Sequence, residues 1–147
     1  MKSLLPVFAM SAFFLALVVG CSTPHKEKAP DPASLVGTWQ LTRLEGQGVE
    51  ESPRAPFIQF GANNTVAGST GLNRFTGKTD PSQLSSGGIK LDQLATTRRA
   101  GEPAMMDLES KFLRAMAGAT RWRVKGSELV LSNESGERLA FRRTVEK

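Results

Sequence analysis

The chain has 147 residues, a formal net charge of +5, one cysteine and one histidine. This length corresponds to one domain, and the single cysteine excludes a disulfide bond within the chain. The histidine, His25, lies in a polar stretch near the N-terminus. A catalytic triad or general base built on histidine is therefore excluded from the rest of the chain.

The N-terminal segment has the three-part arrangement of a bacterial secretory signal. Lys2 supplies a charge, residues 4–19 form an apolar stretch, and the small residue Gly20 precedes the cysteine. The four residues Val18-Val19-Gly20-Cys21 resemble the lipobox of bacterial lipoproteins, in which the thiol is acylated and cleavage leaves cysteine as the first residue. This resemblance implies that residues 1–20 are a signal peptide and that Cys21 carries three acyl chains, which make membrane attachment effectively permanent.

Two alternatives to a lipidated cysteine are an uncleaved membrane anchor and a plain secretory signal. The apolar stretch is shorter than the roughly twenty residues that a spanning helix needs. A plain signal would place small residues at two spaced positions before the cleavage site, and Val18-Val19-Gly20 does not. An unmodified Cys21 would also be a reactive thiol in an oxidising compartment. The lipoprotein interpretation is the favoured one.

The residue after the cysteine is Ser22. In sorting of the enterobacterial type, aspartate at this position retains a lipoprotein in the inner membrane. For a Gram-negative host, Ser22 therefore predicts the outer membrane, with the protein facing the periplasm.

Residues 22–34 are polar and proline-rich and lack hydrophobic periodicity. They predict that the segment 21–34 consists of the lipidated cysteine and a flexible tether, with His25 as a solvated tether residue. The folded domain is then expected over residues 35–144.

Alternating apolar residues predict most of the domain to be β-strand. Polar connections are expected at 46–55 and 81–88. The predicted strands cover Thr38–Leu44, Phe57–Phe60, Thr65–Gly68, a short strand into which the loop of segment 71–77 runs, Ile89–Leu91 and a C-terminal meander through residues 121–125, 129–131 and 139–141.

One helix is predicted, beginning at Pro103 and ending near Gly118. Its apolar residues recur at spacings of three and four, which indicates one buried face. The members of this face are Met105, Leu108, Phe112, Met116 and Ala119, widened by Met106 and Leu113. The predicted fold is mainly β (α+β), a small antiparallel curled sheet or barrel of about seven or eight strands with one packed helix.

The order of these segments resembles the META domain of HslJ-like bacterial lipoproteins. Five short motifs carry the resemblance, over roughly residues 35–143. They are Leu35-Val36-Gly37-Thr38-Trp39, Gly71-Leu72-Asn73-Arg74-Phe75-Thr76-Gly77, Ala95-Thr96-Thr97-Arg98-Arg99-Ala100-Gly101, the helix segment Glu109–Met116, and the closing hairpin of 126–131 with 139–141. The family resemblance implies roles in envelope stress and in tolerance of antibiotics such as novobiocin, and in some relatives roles in secretion or motility.

The chain departs from the family at two positions. Many members carry cysteines in the second and third motifs, and these positions are Leu72 and Gly101 here. Their joint absence is expected if the two cysteines normally pair. A redox or metal role built on them does not carry over.

The sequence offers no catalytic constellation, no metal-ligand cluster and no phosphate-binding loop. Asn73 and Arg74 are the remaining polar candidates, either as a ligand site or, the favoured interpretation, as a turn residue and a solvated arginine. We therefore expect no enzyme, no cofactor and no metal.

The sequence is compatible with three kinds of binding partner. The membrane is expected through the acyl chains on Cys21. An apolar ligand could bind in the mouth of the sheet, lined by Trp39, Met105, Met106, Phe112 and Trp122. An envelope protein could bind the loops at 46–56 or 81–88, as it would to an inhibitor or chaperone.

The net positive charge is interpreted first as solubility, with weak affinity for anionic lipid headgroups or cell-wall polymers as the alternative. Nucleic acid is not expected as a partner, because the arginines are scattered along alternating strands and export removes the protein from the cytoplasm. We expect a monomer.

Overall fold

The structure is a computed structural model that describes residues 30–144. The predicted signal peptide, Cys21, Ser22, His25 and most of the predicted tether lie outside the described residues. Within the described part, no helix is long and apolar enough to cross a membrane.

A 3₁₀ turn at Pro32–Leu35 precedes nine strands and two α-helices within residues 30–144. The strands are β1 (Gly37–Leu44), β2 (Gln47–Gly48), β3 (Phe57–Phe60), β4 (Thr65–Ser69), β5 (Arg74–Lys78), β6 (Ala95–Thr96), β7 (Arg121–Lys125), β8 (Glu128–Asn133) and β9 (Gly136–Arg143). The helices are α1 (Pro81–Ser85) and α2 (Pro103–Ala117). The mainly β class with one principal helix is as predicted.

All nine strands belong to one antiparallel sheet. Its order is β6-β5-β4-β3-β1-β9-β8-β7, with β2 paired to β1. Within the described residues β6 and β7 do not pair, so the sheet is curled but open. The prediction of a curled sheet is confirmed, and its barrel form is wrong.

Helix α2 packs across the concave face of the sheet. Phe112 is fully buried, with its ring centroid 6.0 Å from that of Phe75 and 6.4 Å from that of Phe141. Buried aromatic pairs at such distances add to the stabilisation that burial itself provides. The predicted helix is confirmed, with Pro103 at its start and Gly118 as its C-cap.

One member of the predicted buried helix face is misplaced. Met106 is 47% exposed, whereas Phe112 and Met116 are fully buried. Position 106 lies on the side of α2 that faces the segment 96–100, and this segment leaves an open cleft there instead of covering the helix.

The chain between β5 and β6 differs from the sequence prediction. The sequence predicts a loop over 81–88, but the first five of these residues form α1. Asp80 caps this helix by accepting hydrogen bonds from the Ser82 hydroxyl at 2.7 Å and the Ser82 N–H at 2.9 Å, and these bonds lower the pKa of its carboxyl. The buried side chain of Leu84 ties α1 to the core.

Residues 87–89 lie along the outer edge of β7. The Trp122 N–H donates to the Gly87 carbonyl, and the Ile89 N–H donates to the Thr120 carbonyl, both at 3.0 Å. The predicted strand Ile89–Leu91 is wrong, since only Gly88 makes an isolated bridge, to Arg121. Ile89 and Leu91 are buried, which explains the alternation in the sequence without a strand ladder.

Arg143, the last residue of β9, clamps the N-terminal turn to the centre of the sheet. Its guanidinium donates to the Ser34 carbonyl at 2.5 Å and to the Val36 carbonyl at 2.7 Å, and it lies 4.1 Å above the Trp39 ring. Gly37 has a φ of +129°, and a Cβ there would lie 2.7 Å from Arg143 Nη1. The glycine that opens β1 is therefore required both by its backbone conformation and by this clamp. The turn at Pro32–Leu35 thus lies at the predicted start of the domain, Leu35.

Candidate functional site

A buried polar cluster lies where the β4–β5 connection meets α2. Thr70 and Asn73 are two of the three buried polar residues in the described part of the chain, with exposures of 0% and 4%. The Thr70 N–H donates to the Asn73 carbonyl at 2.8 Å, which closes the turn between the two strands. This turn places the Asn73 side chain inward and Arg74 outward.

The Asn73 side chain uses its full hydrogen-bonding capacity. Its Oδ1 accepts from the Arg99 N–H at 2.7 Å and from the Thr97 hydroxyl at 2.9 Å. Its Nδ2 donates to the Arg99 carbonyl at 3.2 Å and to Glu109 Oε2 at 3.0 Å. Two donated and two accepted bonds satisfy a primary amide completely. Asn73 thereby joins three segments that are distant in sequence.

Glu109 completes the cluster from α2. Its Oε1 accepts from the Thr70 hydroxyl at 2.8 Å, while its Oε2 accepts from Asn73. The Thr70 oxygen also accepts from the Asn73 N–H at 2.8 Å. We call Thr70, Asn73, Thr97, Arg99 and Glu109 the Asn73 node.

The sequence permits two interpretations of Asn73 and Arg74, a ligand site or a turn residue beside a solvated arginine. In the structure Asn73 holds the turn and the node, with no amide group left over for a ligand. Arg74 is exposed, and its backbone N–H donates to the Thr97 hydroxyl at 3.0 Å. Sequence reasoning missed the role of Glu109, although the family motif containing this helix pointed to it.

An open cleft of about 450 Å³ adjoins the node. One wall is the exposed side of α2, with Met106, Ser110 and Leu113, and the other is the segment 96–100 with Arg98 and Arg99. The Asn73 amide is fully bonded within the node. The groups that remain for contact in the cleft are the guanidinium groups of Arg98 and Arg99 and the thioether of Met106. Such a surface can bind, but it contains no nucleophile paired with a base.

A second hollow, of about 540 Å³, separates the segment 44–56 from the first half of α2. We call it the α2 groove. Its apolar lining includes Leu44, Val49, Met105 and Leu108, and its rim carries charged residues of both signs. The predicted loop 46–56 therefore forms one wall of a concave surface.

The predicted lining of an apolar ligand site separates into two groups. Trp39, Phe112 and Trp122 belong to the hydrophobic core, with exposures of 0%, 0% and 4%. Both indole N–H groups are occupied, by the Leu35 carbonyl at 2.7 Å and the Leu84 carbonyl at 3.2 Å respectively. Met105 and Met106 line the α2 groove and the open cleft instead. The five residues thus do not line one site.

Leu72 and Gly101 are neighbours in space. A Cβ at position 101 would lie 2.5 Å from Leu72 Cδ1, so only glycine fits beside this leucine in its present position. The two family cysteine positions are therefore adjacent, as their expected pairing requires. The leucine occupies the space that a side chain at 101 would otherwise take.

The remaining polar side chains form no reactive arrangement in the part of the chain that the structure describes. Over residues 30–144, no three or more His, Cys, Asp and Glu residues are grouped so that they could hold a metal ion. Asp107 forms an ion pair with Lys111 at 2.7 Å, while Glu109 turns to the node.

The comparisons with known proteins agree with this architecture. The family model of the META domain matches residues 33–146. An NMR structure of a protein from Burkholderia xenovorans is 18% identical with a TM-score of 0.62, over 97% of this chain and 100% of that one.

Two further solved structures share the fold. A second NMR structure is 23% identical with a TM-score of 0.60, over 77% of this chain and 94% of that one. A crystal structure of a DUF4847 family protein from Bacteroides vulgatus is 14% identical with a TM-score of 0.50, over 77% of this chain and 96% of that one. Among curated proteins there is no match. At these identities the likeness shows the fold alone.

Proposed function

We propose, from the premise that this chain belongs to the META domain family, that it is a non-catalytic lipoprotein held in the outer membrane and facing the periplasm. Its role is in the envelope stress response or in tolerance of antibiotics of the novobiocin type. The observation that carries the proposal is the sequence Val18-Val19-Gly20-Cys21 at the end of an apolar stretch, followed by a polar segment that leads into a META domain.

The chemistry of the domain supports a non-catalytic role. The buried polar side chains Thr70 and Asn73 are engaged in hydrogen bonds that fix the fold. The two hollows beside α2 present apolar side chains and charged rims, which suit contact with another molecule rather than bond making or breaking.

The anchor is tested by replacing Cys21 with alanine. We expect Cys21→Ala to lose incorporation of labelled palmitate and to remain unprocessed, because acylation of the thiol precedes cleavage. Gel mobility and palmitate labelling of the expressed full chain measure both. A variant that is processed and labelled like the wild type would contradict the anchor.

A sorting control accompanies this experiment. Ser22→Asp keeps the acylated cysteine, so it should be labelled normally but move to the inner-membrane fraction of a density gradient.

The proposed role in antibiotic tolerance is tested by challenging a deletion strain with novobiocin. Wild-type protein should restore tolerance, and Ser22→Asp should restore it less. Equal sensitivity of the deletion and parent strains would remove the tolerance role.

A second candidate function is binding of an envelope protein through the α2 groove. The groove favours it because apolar side chains, Val49 among them, line a concavity between a loop and a helix. A photo-crosslinking amino acid at Val49 should give a discrete adduct in intact cells. The same amino acid at Thr76, exposed on β5, is the control. Identical patterns at both positions would overturn this candidate.

A further inference from the structure

We propose that the outer surface of β7 docks on anionic phospholipid headgroups and so orients the domain on the bilayer. The proposal rests on the lipid anchor of the proposed function and adds a second, electrostatic contact. The docking surface consists of Arg121, Arg123 and Lys125, and we call it the β7 face.

The alternation of β7 puts its three cations on one side. Trp122 is buried and Val124 half-buried, whereas the cations between and beside them are exposed. Because side chains of a strand alternate between faces, the cations lie opposite the face on which α2 packs. None of the three takes part in an ion pair among the described residues.

Two of the acidic residues nearby share one arginine, Arg43, and a third, Glu134, lines the same hollow as Arg121. Glu128 lies opposite Lys125 in the β7–β8 register, but its carboxylate bonds to Arg43 at 2.9 Å. Glu137 also bonds to Arg43, at 2.9 Å. Glu128 and Glu137 are thus partly neutralised from the β1 side, and the three cations of the β7 face outnumber the remaining negative charge beside them.

Protection of an open sheet edge does not explain all three cations. Lysine and arginine on an edge strand commonly prevent edge-to-edge pairing. The first half of the β7 edge is already covered, however, because the segment 87–89 makes backbone hydrogen bonds to Thr120 and Trp122. Edge protection therefore does not account for Arg121, and the grouping of all three cations has a further reason.

The position at which the chain enters the domain gives a reason for the grouping of cations on β7. Pro30 Cγ lies 3.2 Å from the position of a Cβ on Gly87, and the Gly87 carbonyl accepts the Trp122 N–H. The tether thus arrives beside β7. The nine residues that follow Cys21, up to and including Pro30, span at most roughly 30 Å when fully extended. A lipid on Cys21 consequently keeps the β7 face within reach of the headgroups.

The energetics fit a weak contact strengthened by the tether. A lysine or arginine near an anionic membrane surface is attracted by about 1 kcal/mol, within a Debye length of about 10 Å. Attachment through Cys21 makes docking intramolecular, which raises the effective headgroup concentration. Loss of all three cations should therefore shift the docking equilibrium on the order of a hundredfold.

The test uses the full acylated protein reconstituted in vesicles. A fluorophore is attached to Ser127→Cys beside the β7 face, or to Ser110→Cys on α2 as the control position. Vesicles of phosphatidylethanolamine with phosphatidylglycerol are compared with neutral phosphatidylcholine vesicles. We expect the label at 127, but not at 110, to be shielded from a neutral aqueous quencher on anionic vesicles only, and the shielding to vanish at 1 M salt.

Matched charge variants make the test specific. The triple variant Arg121→Gln, Arg123→Gln, Lys125→Gln should lose the shielding. The control Arg74→Gln, Lys78→Gln, Arg98→Gln, which removes three exposed cations at the other end of the sheet, should keep it. Equal shielding in both variants, or loss in both, would overturn the docking proposal. Failure of the wild type to co-float with neutral vesicles would instead overturn the anchor, so the two failures are distinguishable.

Discussion

Replacing Asn73 with alanine should lower the free energy of unfolding by about 3 kcal/mol. The change removes four hydrogen bonds and leaves the Glu109 carboxylate and the Arg99 backbone without their partner. A buried polar group that loses its partner costs roughly 1–3 kcal/mol, and more when it is charged. Urea unfolding followed by tryptophan fluorescence measures the effect, since Trp39 and Trp122 are both in the core.

Two variants control this prediction. Arg74→Ala changes the exposed neighbour and should alter stability by less than about 0.5 kcal/mol. Asn73→Asp keeps the shape but places a carboxylate where the amide donates to Glu109. Its instability should therefore be large at pH 7 and shrink as acidification protonates one of the two carboxyl groups. If Asn73→Ala loses less than 1 kcal/mol, the node does not hold the three segments together.

The double variant Leu72→Cys, Gly101→Cys should form a disulfide bond and stabilise the domain by about 3 kcal/mol. The leucine that now contacts position 101 is removed in the same step, so both side chains gain the room they need. The closed loop of about thirty residues contains β5, α1 and β6, and cross-linking it restricts the unfolded chain. A thiol titration and a urea melt under oxidising conditions measure formation and stability.

The reduced double variant is the internal control for this disulfide. It should be less stable than the wild type, because the Leu72 packing is lost without a cross-link. Gly101→Ala alone should lower stability, because its Cβ would lie 2.5 Å from Leu72 Cδ1 and force the leucine to shift. Two free thiols after prolonged oxidation would show that the positions are not oriented for pairing.

The strands of the sheet are predicted from the sequence more accurately than the irregular segment between β5 and β6. Alternating apolar and polar residues locate β1, β3 and β7. Each of these strands has one buried and one exposed face, and a sequence period of two is the sign of such a strand. Helix α1 has only five residues, too few for a helical period to emerge. Its signal was a different one, namely Asp80 as a capping residue followed by Pro81.

The candidate site is harder to predict than the fold because its contacts are distant in sequence. Asn73 bonds to Arg99 and Glu109 across 26 and 36 positions. No local sequence pattern links these residues. Their only common sign in the sequence is that each lies in one of the motifs that resemble the META family. Met106 is mispredicted for a related reason. Its spacing along the helix suggests burial, but the segment 96–100, which is distant in sequence, leaves it uncovered.

The Arg143 clamp has a mechanical consequence for a domain held by its N-terminal end. A pull along the tether would first load the carbonyls of Ser34 and Val36, which the guanidinium of Arg143 holds. Arg143 belongs to β9, and β9 pairs with β1 in the interior of the sheet order. The force is then shared by two interior strands with partners on both sides. An edge strand that could peel away one hydrogen bond at a time would not bear it alone.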